Sequence, residues 1–240
     1  MAGQLRLDKY LADMGIGSRS EIKEWIRKGR VKLNDSVCNK PESKVVVGAD
    51  LVSFDDQLVG YVQNQYIMLH KPAGVVSATN DNVSKTVLDL ITDRTSKDLF
   101  PVGRLDKDTE GLLLITNDGD LAHRLLSPKK HVDKVYYAKV KGRVTQEDKD
   151  AFLQGVDIKD EKLTMPAALN ILSSDDISEI ELTLQEGRFH QVKRMFEAVG
   201  KEVIYLKRLS MGTLVLDPNL KPGEYRELTE QELSELKIRV

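Results

Sequence analysis

The apolar residues Leu7, Tyr10, Leu11 and Met14 recur at the three-and-four spacing of one helix face, and the pattern stops at Gly15, which predicts a short first helix. A second follows at once. Ser18 with Glu21 three residues later makes a capping box, Ile22, Trp25 and Ile26 form the apolar stripe, and Gly29 ends it. Val31 and Leu33 then alternate with polar neighbours, Asn34-Asp35 offers a turn, and Val45 to Val47 and Leu51 to Phe54 read as further strands. The polar stretch Gly60 to Gln65 reads as a connector, so residues 1–60 are expected to form one small domain.

From residue 61 to residue 240 strands and helices alternate. Tyr66 to Leu69 starts an apolar strand, Leu112 to Thr116 is a buried one, Leu121 to Leu126 a short helix and Val135 to Val140 a strand. Thr145 caps a helix running toward Leu153, after which Ile180, Leu182 and Leu184 alternate as a strand should. Phe189, Val192, Met195, Phe196 and Val199 form a helical stripe closed by Gly200. Val203 to Leu206 and Leu214 to Leu216 read as strands, and Thr229 with Glu232 boxes a final helix. The expected second domain is an α+β body with a mixed, largely antiparallel sheet flanked by helices.

Composition narrows the classes. With 240 residues, 40% hydrophobic and 31% charged, the chain fits an ordinary soluble protein of two domains. No stretch approaches the roughly 20 apolar residues that cross a bilayer, and no basic start leads into an apolar run, so a cytoplasmic protein is expected, with a monomer as the default. Cys38, the only cysteine, excludes an internal disulfide and a thiol-rich metal site, and reads as a small filler in a hairpin. The net charge of −2 argues at first against nucleic acid, but the charges are segregated. Basic residues crowd Arg19 to Lys32, Arg124 to Arg143 and Arg188 to Arg208, and the acids lie between these runs and toward the end. A polyanion partner fits that pattern.

Three segments are rich in groups that a fold alone does not need: Gly103 to Gly111, Lys134-Val135-Tyr136, and Glu186 to Arg194. Each also has a plain structural reading. The first describes a charged surface loop entering a strand, Tyr136 a half-buried packing ring, and Lys193 with Glu197 four residues on a surface ion pair, while Arg188 and His190 could flank a helix start. Asp106-Lys107-Asp108-Thr109 is also similar to the D-x-D-x-T pattern of haloacid-dehalogenase-type phosphotransferases, but its Thr falls one position early, and that motif should directly follow an apolar strand, whereas here the strong strand comes after it.

Taken together, the segments resemble the motifs of pseudouridine synthases, specifically the ribosomal RNA family typified by the small-subunit enzyme RsuA. Gly103-Arg104-Leu105-Asp106 with Thr109 and Gly111 is similar to the family's catalytic loop, and Thr116-Asn117-Asp118-Gly119 to the segment after it. Lys71-Pro72 with Gly74 resembles the first motif, Lys134-Val135-Tyr136 the tyrosine motif and Glu186 to Phe196 the third. Leu5 to Asn34 resembles an S4-type RNA-binding module, and Leu163 to Leu169 and Pro222 to Arg226 are similar to the small-subunit subgroup. Two positions depart: Asn34-Asp35 stands where the S4 module usually has a glycine turn, and His70 where an asparagine often precedes Lys-Pro.

The resemblance implies a small S4-like domain ahead of a catalytic domain, and isomerisation of uridine to pseudouridine after the base is flipped out. The implied catalytic residues are Asp106, Tyr136 and Lys193, the last pairing with Asp106 and lowering its pKa. Arg19, Lys23, Arg27, Lys28, Lys71, Arg104, Arg188, His190 and Arg194 are the implied RNA contacts, with Arg104 as the wedge. The implied partner is ribosomal RNA in a partly assembled small subunit, with uridine 516 of 16S RNA as target. The alternatives are 23S RNA and, without catalysis, a ribosome-assembly factor. With no dinucleotide fingerprint, Walker loop or clustered His and acid ligands, neither cofactor nor metal is expected.

Overall fold

The computed structural model describes residues 4–61, 64–92 and 98–238. The chain divides into two compact units, Met1–Gln65 with Thr92–Leu99, and Tyr66–Ile91 with Phe100–Val240. Of the expected connector Gly60–Gln65, residues 62 and 63 lie outside the described residues.

The first unit comprises β1 (Gln4–Arg6), α1 (Leu7–Asp13), α2 (Arg19–Arg27), β2 (Val31–Leu33), β3 (Ser36–Val37), β4 (Lys44–Val46), β5 (Val52–Phe54) and β6 (Gln57–Leu58). Ser18 caps α2 reciprocally with Glu21, satisfying two of the backbone donors that a helix start leaves open. Leu7, Tyr10, Leu11, Ile22, Ile26, Val31, Val45 and Val52 close one small core. Asn34 and Asp35 both take left-handed φ angles, 50° and 62°, so the tight turn between β2 and β3 is made without glycine.

The second unit holds β7 (Tyr66–Lys71), β8 (Phe100–Pro101), β9 (Glu110–Thr116), α3 (Gly119–Leu126), β10 (Lys134–Lys141), α4 (Gln146–Gln154), β11 (Ala168–Ser173), β12 (Ile177–Leu184), α5 (Gln191–Ala198), β13 (Glu202–Met211), β14 (Leu214–Val215), β15 (Tyr225–Glu227) and α6 (Glu230–Ile238). Its sheet runs β11-β12-β10-β13-β9-β7-β15, with β14 beside β13 and β8 beside β9. Every pairing is antiparallel except β9 with β13, which matches the mixed, largely antiparallel sheet expected from the pattern. β7 and β9 are apolar on both faces because the sheet centre is covered on both sides. Among the described residues no helix is long and apolar enough to cross a membrane.

Two differences from the sequence pattern bear on function. Phe189 was expected within the helical stripe, yet α5 starts only at Gln191, because His190 adopts a left-handed backbone (φ 47°, ψ 35°) that breaks the helix. Phe189 is consequently 69% exposed and stacks on the His190 ring at 3.8 Å. β13 is also far longer than Val203–Leu206, since Lys207 to Met211 continue the pairing with β10 past a bulge between Val135 and Tyr136.

Candidate active site

The loop from Gly103 to Thr109 enters β9 and is tied down from behind by β7 and the segment after it. Ser77 Oγ donates to the Leu105 carbonyl at 2.8 Å and accepts from the Leu105 amide at 3.0 Å, both buried. The Gly74 amide donates to the Lys107 carbonyl at 2.7 Å, and the Thr109 amide closes a turn onto the Asp106 carbonyl. Lys71, fully buried at the end of β7, donates to the carbonyls of Thr109 (2.8 Å), Pro72 (3.0 Å) and Lys107 (3.3 Å). The RNA contact expected of Lys71 is thus corrected: its ammonium is a buried clamp that burial pulls down to about 8, and it cannot reach a phosphate.

This clamped loop presents Asp106 to a cavity of about 580 Å³, within the usual range for ligand sites. The same cavity is lined by Arg104, Tyr136, Arg188, His190 and Lys193, so six of the residues singled out from sequence converge there. Asp106 is one quarter exposed, with His190 Nε2 3.6 Å from one carboxylate oxygen and Lys193 Nζ 3.5 Å from the other. Lys193 leans harder on Asp108, at 2.7 and 2.8 Å, and this hydrogen bond and charge hold the Asp108 carboxyl below its ordinary range. Neither the pairing of Lys193 with Asp106 alone nor a surface pair with Glu197 describes it: one ammonium spans two carboxylates. Arg104 is exposed at the cavity.

The floor is one face of the central sheet. Tyr136 on β10 is buried and faces Arg208 across the strand pair, and Lys134, Leu184 and Leu206 complete the surface. Lys134 and Arg208, 5% and 2% exposed, were read from sequence only as part of the tyrosine motif and of the basic runs, not as site residues. An isolated Lys or Arg in a strand pattern reads as solvent-facing, and only the register reveals that both are buried.

The third motif mostly builds its own loop. Glu186, buried, accepts from the Gln191 side chain (2.7 Å), the Met165 amide (2.9 Å) and Arg188 (3.0 Å). Arg188 also donates to the carbonyls of Lys162 and Leu163 at 2.7 and 2.8 Å, which engages its guanidinium with protein. Arg194 does not line the cavity; it is bound to Asp160 at 2.6 Å and to the Ile158 carbonyl. These bonds make Arg194 a clamp between α5 and the 157–163 segment.

In the first unit Arg19, Lys23 and Arg27 recur every fourth residue along α2, with Lys28 at its end. Arg19 is exposed and lies 3.4 Å from the buried Asp8, Lys28 pairs with Glu24 at 2.7 Å, and Arg27 is exposed. Arg30 and Lys32, from the same basic run, are paired with Asp55 and Asp56.

Comparison with known proteins agrees with this architecture. Residues 65–198 match the family model of RNA pseudouridylate synthase and residues 5–51 that of the S4 domain. The chain is 49% identical to the RNA pseudouridine synthase YtzG of Bacillus subtilis, over 95% of this chain and 97% of that one. It is 38% identical to the ribosomal small subunit pseudouridine synthase A of Escherichia coli K12 (96% and 99% covered) and 41% identical to the ribosomal large subunit pseudouridine synthase B of Bacillus subtilis (97% and 95%). A crystal structure of a pseudouridylate synthase superposes with a TM-score of 0.68 at 37% identity, covering 97% of this chain and 99% of that one. The chain, with its S4 domain ahead of the synthase domain, thus belongs to the RNA pseudouridine synthases of the family typified by ribosomal small subunit pseudouridine synthase A.

Proposed function

We propose that this RNA pseudouridine synthase acts on ribosomal RNA of the small subunit, at uridine 516 of 16S RNA, with Asp106 as the carboxylate the reaction requires. The observation that carries the reading is the convergence of Asp106, Tyr136, Lys193 and Arg104 on one cavity. The target uridine must leave its stack before its glycosidic bond can be reached, at a cost of a few kcal/mol, which favours unpaired RNA. Arg104, exposed at the cavity, is suited to fill the space the base leaves. The Asp106 carboxylate then attacks C1′ or removes the 2′ proton, and the C1′–N1 pair departs with the base. The base turns, C5 bonds to C1′ as the Asp106 carboxylate is displaced or the proton is returned to C2′, and the C5 proton is lost, with Tyr136 stacked on the ring and near enough to assist. Lys193 Nζ lies 3.5 Å from one Asp106 carboxylate oxygen and His190 Nε2 3.6 Å from the other, which holds the carboxylate in place between them.

Residues 1–60 serve in this reading as the RNA-gripping domain and 61–240 as the catalytic one, with Arg19, Lys23, Arg27 and Lys28 on phosphates. The enzyme acts in the cytoplasm, on a partly assembled small subunit. The name of the Escherichia coli relative supports small-subunit RNA; the large-subunit name of a Bacillus relative at similar identity makes 23S RNA the outcome to test against. The test is to incubate the enzyme with unmodified 16S RNA, free and partly assembled, and with 23S RNA, then map pseudouridine by carbodiimide-stop sequencing. A stop at the one 16S position, lost with Asp106→Asn, is the expected result. Signal in 23S RNA alone overturns the substrate, and activity in Asp106→Asn overturns the mechanism.

A further inference from the structure

Lys134 and Arg208 sit side by side on the cavity floor, both more than nine-tenths buried, and neither is in an ion pair among the described residues. Lys134 Nζ donates to the Val132 carbonyl at 3.0 Å and Arg208 Nε to the Leu112 carbonyl at 2.8 Å. One guanidinium nitrogen of Arg208, Nη2, is buried with no hydrogen-bond partner among the described residues. The acids nearby are committed elsewhere. Asp106 has His190 and Lys193, Glu186 has Gln191 and Arg188, and Asp133 accepts from Gln185 at 2.9 Å. Burying one unpaired cation is costly, and burying two together adds their repulsion. Burial and the neighbouring guanidinium pull the Lys134 ammonium down to about 8. A fold that carries this arrangement in a ligand cavity is preorganised for negative charge that arrives with the ligand.

The isomerisation generates such a charge. When C1′–N1 breaks, the electron pair leaves with N1, and uracil becomes an anion whose charge is shared among N1, O2 and O4. It must be held, unattached, while it turns; C5 then supplies the pair that forms the bond to C1′, displacing the carboxylate from C1′ or with the abstracted proton returned to C2′, after which the C5 proton is released and N1 takes one up. We propose that Arg208 and Lys134 bind the carbonyl oxygens of the detached uracil and stabilise its negative charge between these two bonding states. The proposal rests on the pseudouridine synthase reaction, but not on Asp106 being its carboxylate.

The test compares RNA carrying uridine at the target with RNA carrying 5-fluorouridine, whose ring fluorine makes the departing base a weaker base that needs less help. Arg208→Gln, Lys134→Gln and the charge-keeping Arg208→Lys and Lys134→Arg are assayed by single turnover, following loss of the N1-linked target nucleoside by chromatography of nuclease digests, because cleavage of C1′–N1 is common to both substrates whereas the fluorinated base has no C5 proton to release. Each Gln variant should lose about 100-fold on uridine, as removal of one preorganised donor does, and about tenfold less than that on 5-fluorouridine, while the charge-keeping variants recover much of the rate. Equal losses on both substrates in the same preparation overturn the proposal, and since a poorly folded fraction lowers both equally, misfolding cannot imitate the expected result. Asp106→Asn run alongside separates the two readings: its activity bears on the carboxylate, the fluorine dependence on the floor.

Discussion

Lys193 Nζ stands 2.7 and 2.8 Å from the two carboxylate oxygens of Asp108 and 3.5 Å from Asp106, so a single ammonium holds the exposed acid closely and the cavity acid loosely. Asp108 is 71% exposed and does not line the cavity, whereas Asp106 does. The closer partner thus holds Lys193 within 3.5 Å of the cavity acid.

If Asp108 is only an anchor, Asp108→Asn should cost little, because Lys193 can swing fully onto Asp106. We expect a change in kcat of under about threefold for Asp108→Asn and roughly 100-fold for Lys193→Met, in line with the loss of one preorganised charge. Steady-state kinetics on the two variants decides it. A loss in Asp108→Asn equal to that in Lys193→Met would make Asp108 a working member of the site.

Gly111 joins the catalytic loop to the parallel pairing of β9 with β13. Its φ is +105°, and a methyl group there would overlap the Arg208 carbonyl oxygen and lie 2.6 Å from the Arg208 nitrogen. Backbone on both sides leaves nothing flexible to move aside. Gly111→Ala should destabilise the second unit by about 3 kcal/mol or more, lowering its melting temperature by at least roughly 6 to 12 °C. Calorimetry resolving the two units measures it, and an unchanged transition would mean that β9 and β13 can separate.

The same residues mark how far sequence reading reaches. Local signals carried well: the Ser18–Glu21 box, the Thr145 and Thr229 caps, and the apolar run of β9 depend on near neighbours, and each element formed where its pattern stood. What depends on distant partners did not show. Lys71 reads as a cation for phosphate until the loop carbonyls around it are seen, Arg194 until Asp160 is, and Phe189 fits a helical period that a left-handed His190 interrupts. Ser77, which fixes Leu105 from 28 positions away, is an unremarked serine in one dimension. The segments that line the cavity were legible as motifs; the floor of Lys134 and Arg208 depends on the β10–β13 register.

Lys134 makes the reaction sensitive to alkali. Its ammonium is drawn down to about 8, so the charge is present below that pH and lost as pH rises through it. With Arg208, Asp106 and Asp133 around it, the rate on uridine should fall through about pH 8. Lys134→Arg should abolish that limb, since a guanidinium stays charged throughout. Unfolding cannot cause the fall. A lysine whose pKa is lower folded than unfolded penalises the fold below about 8, and this penalty is relieved as pH climbs toward the unfolded value, so stability rises over the window in which activity drops. Lys71 shares both the shift and its sign. Parallel pH–rate and pH–melting profiles test this, and a limb unchanged in Lys134→Arg assigns it to another group.

The α2 stripe makes a prediction of a different kind, because phosphate contacts grip without choosing and should leave chemistry alone. Arg19, Lys23 and Arg27 lie four apart along one helix, and Arg27 is exposed. Replacing all three with alanine removes up to three phosphate contacts, each of which contributes about 0.7 to 0.9 to the slope of log affinity against log salt. The slope should flatten by about 2 and KM rise at low salt, with single-turnover rates at saturating RNA within about twofold. Alanine is a good helix former, and the buried Leu11, Ile22 and Ile26 of the small core are untouched, so the unit should stay folded. Arg19 alone could do harm, since its loss leaves buried Asp8 to Arg6 at 3.0 Å, and the Lys23→Ala, Arg27→Ala double variant controls for this with a slope change near two thirds as large. Filter binding from low to high salt reads the slope directly; an unchanged slope with reduced turnover would mean that this helix orients the RNA through shape and not through charge.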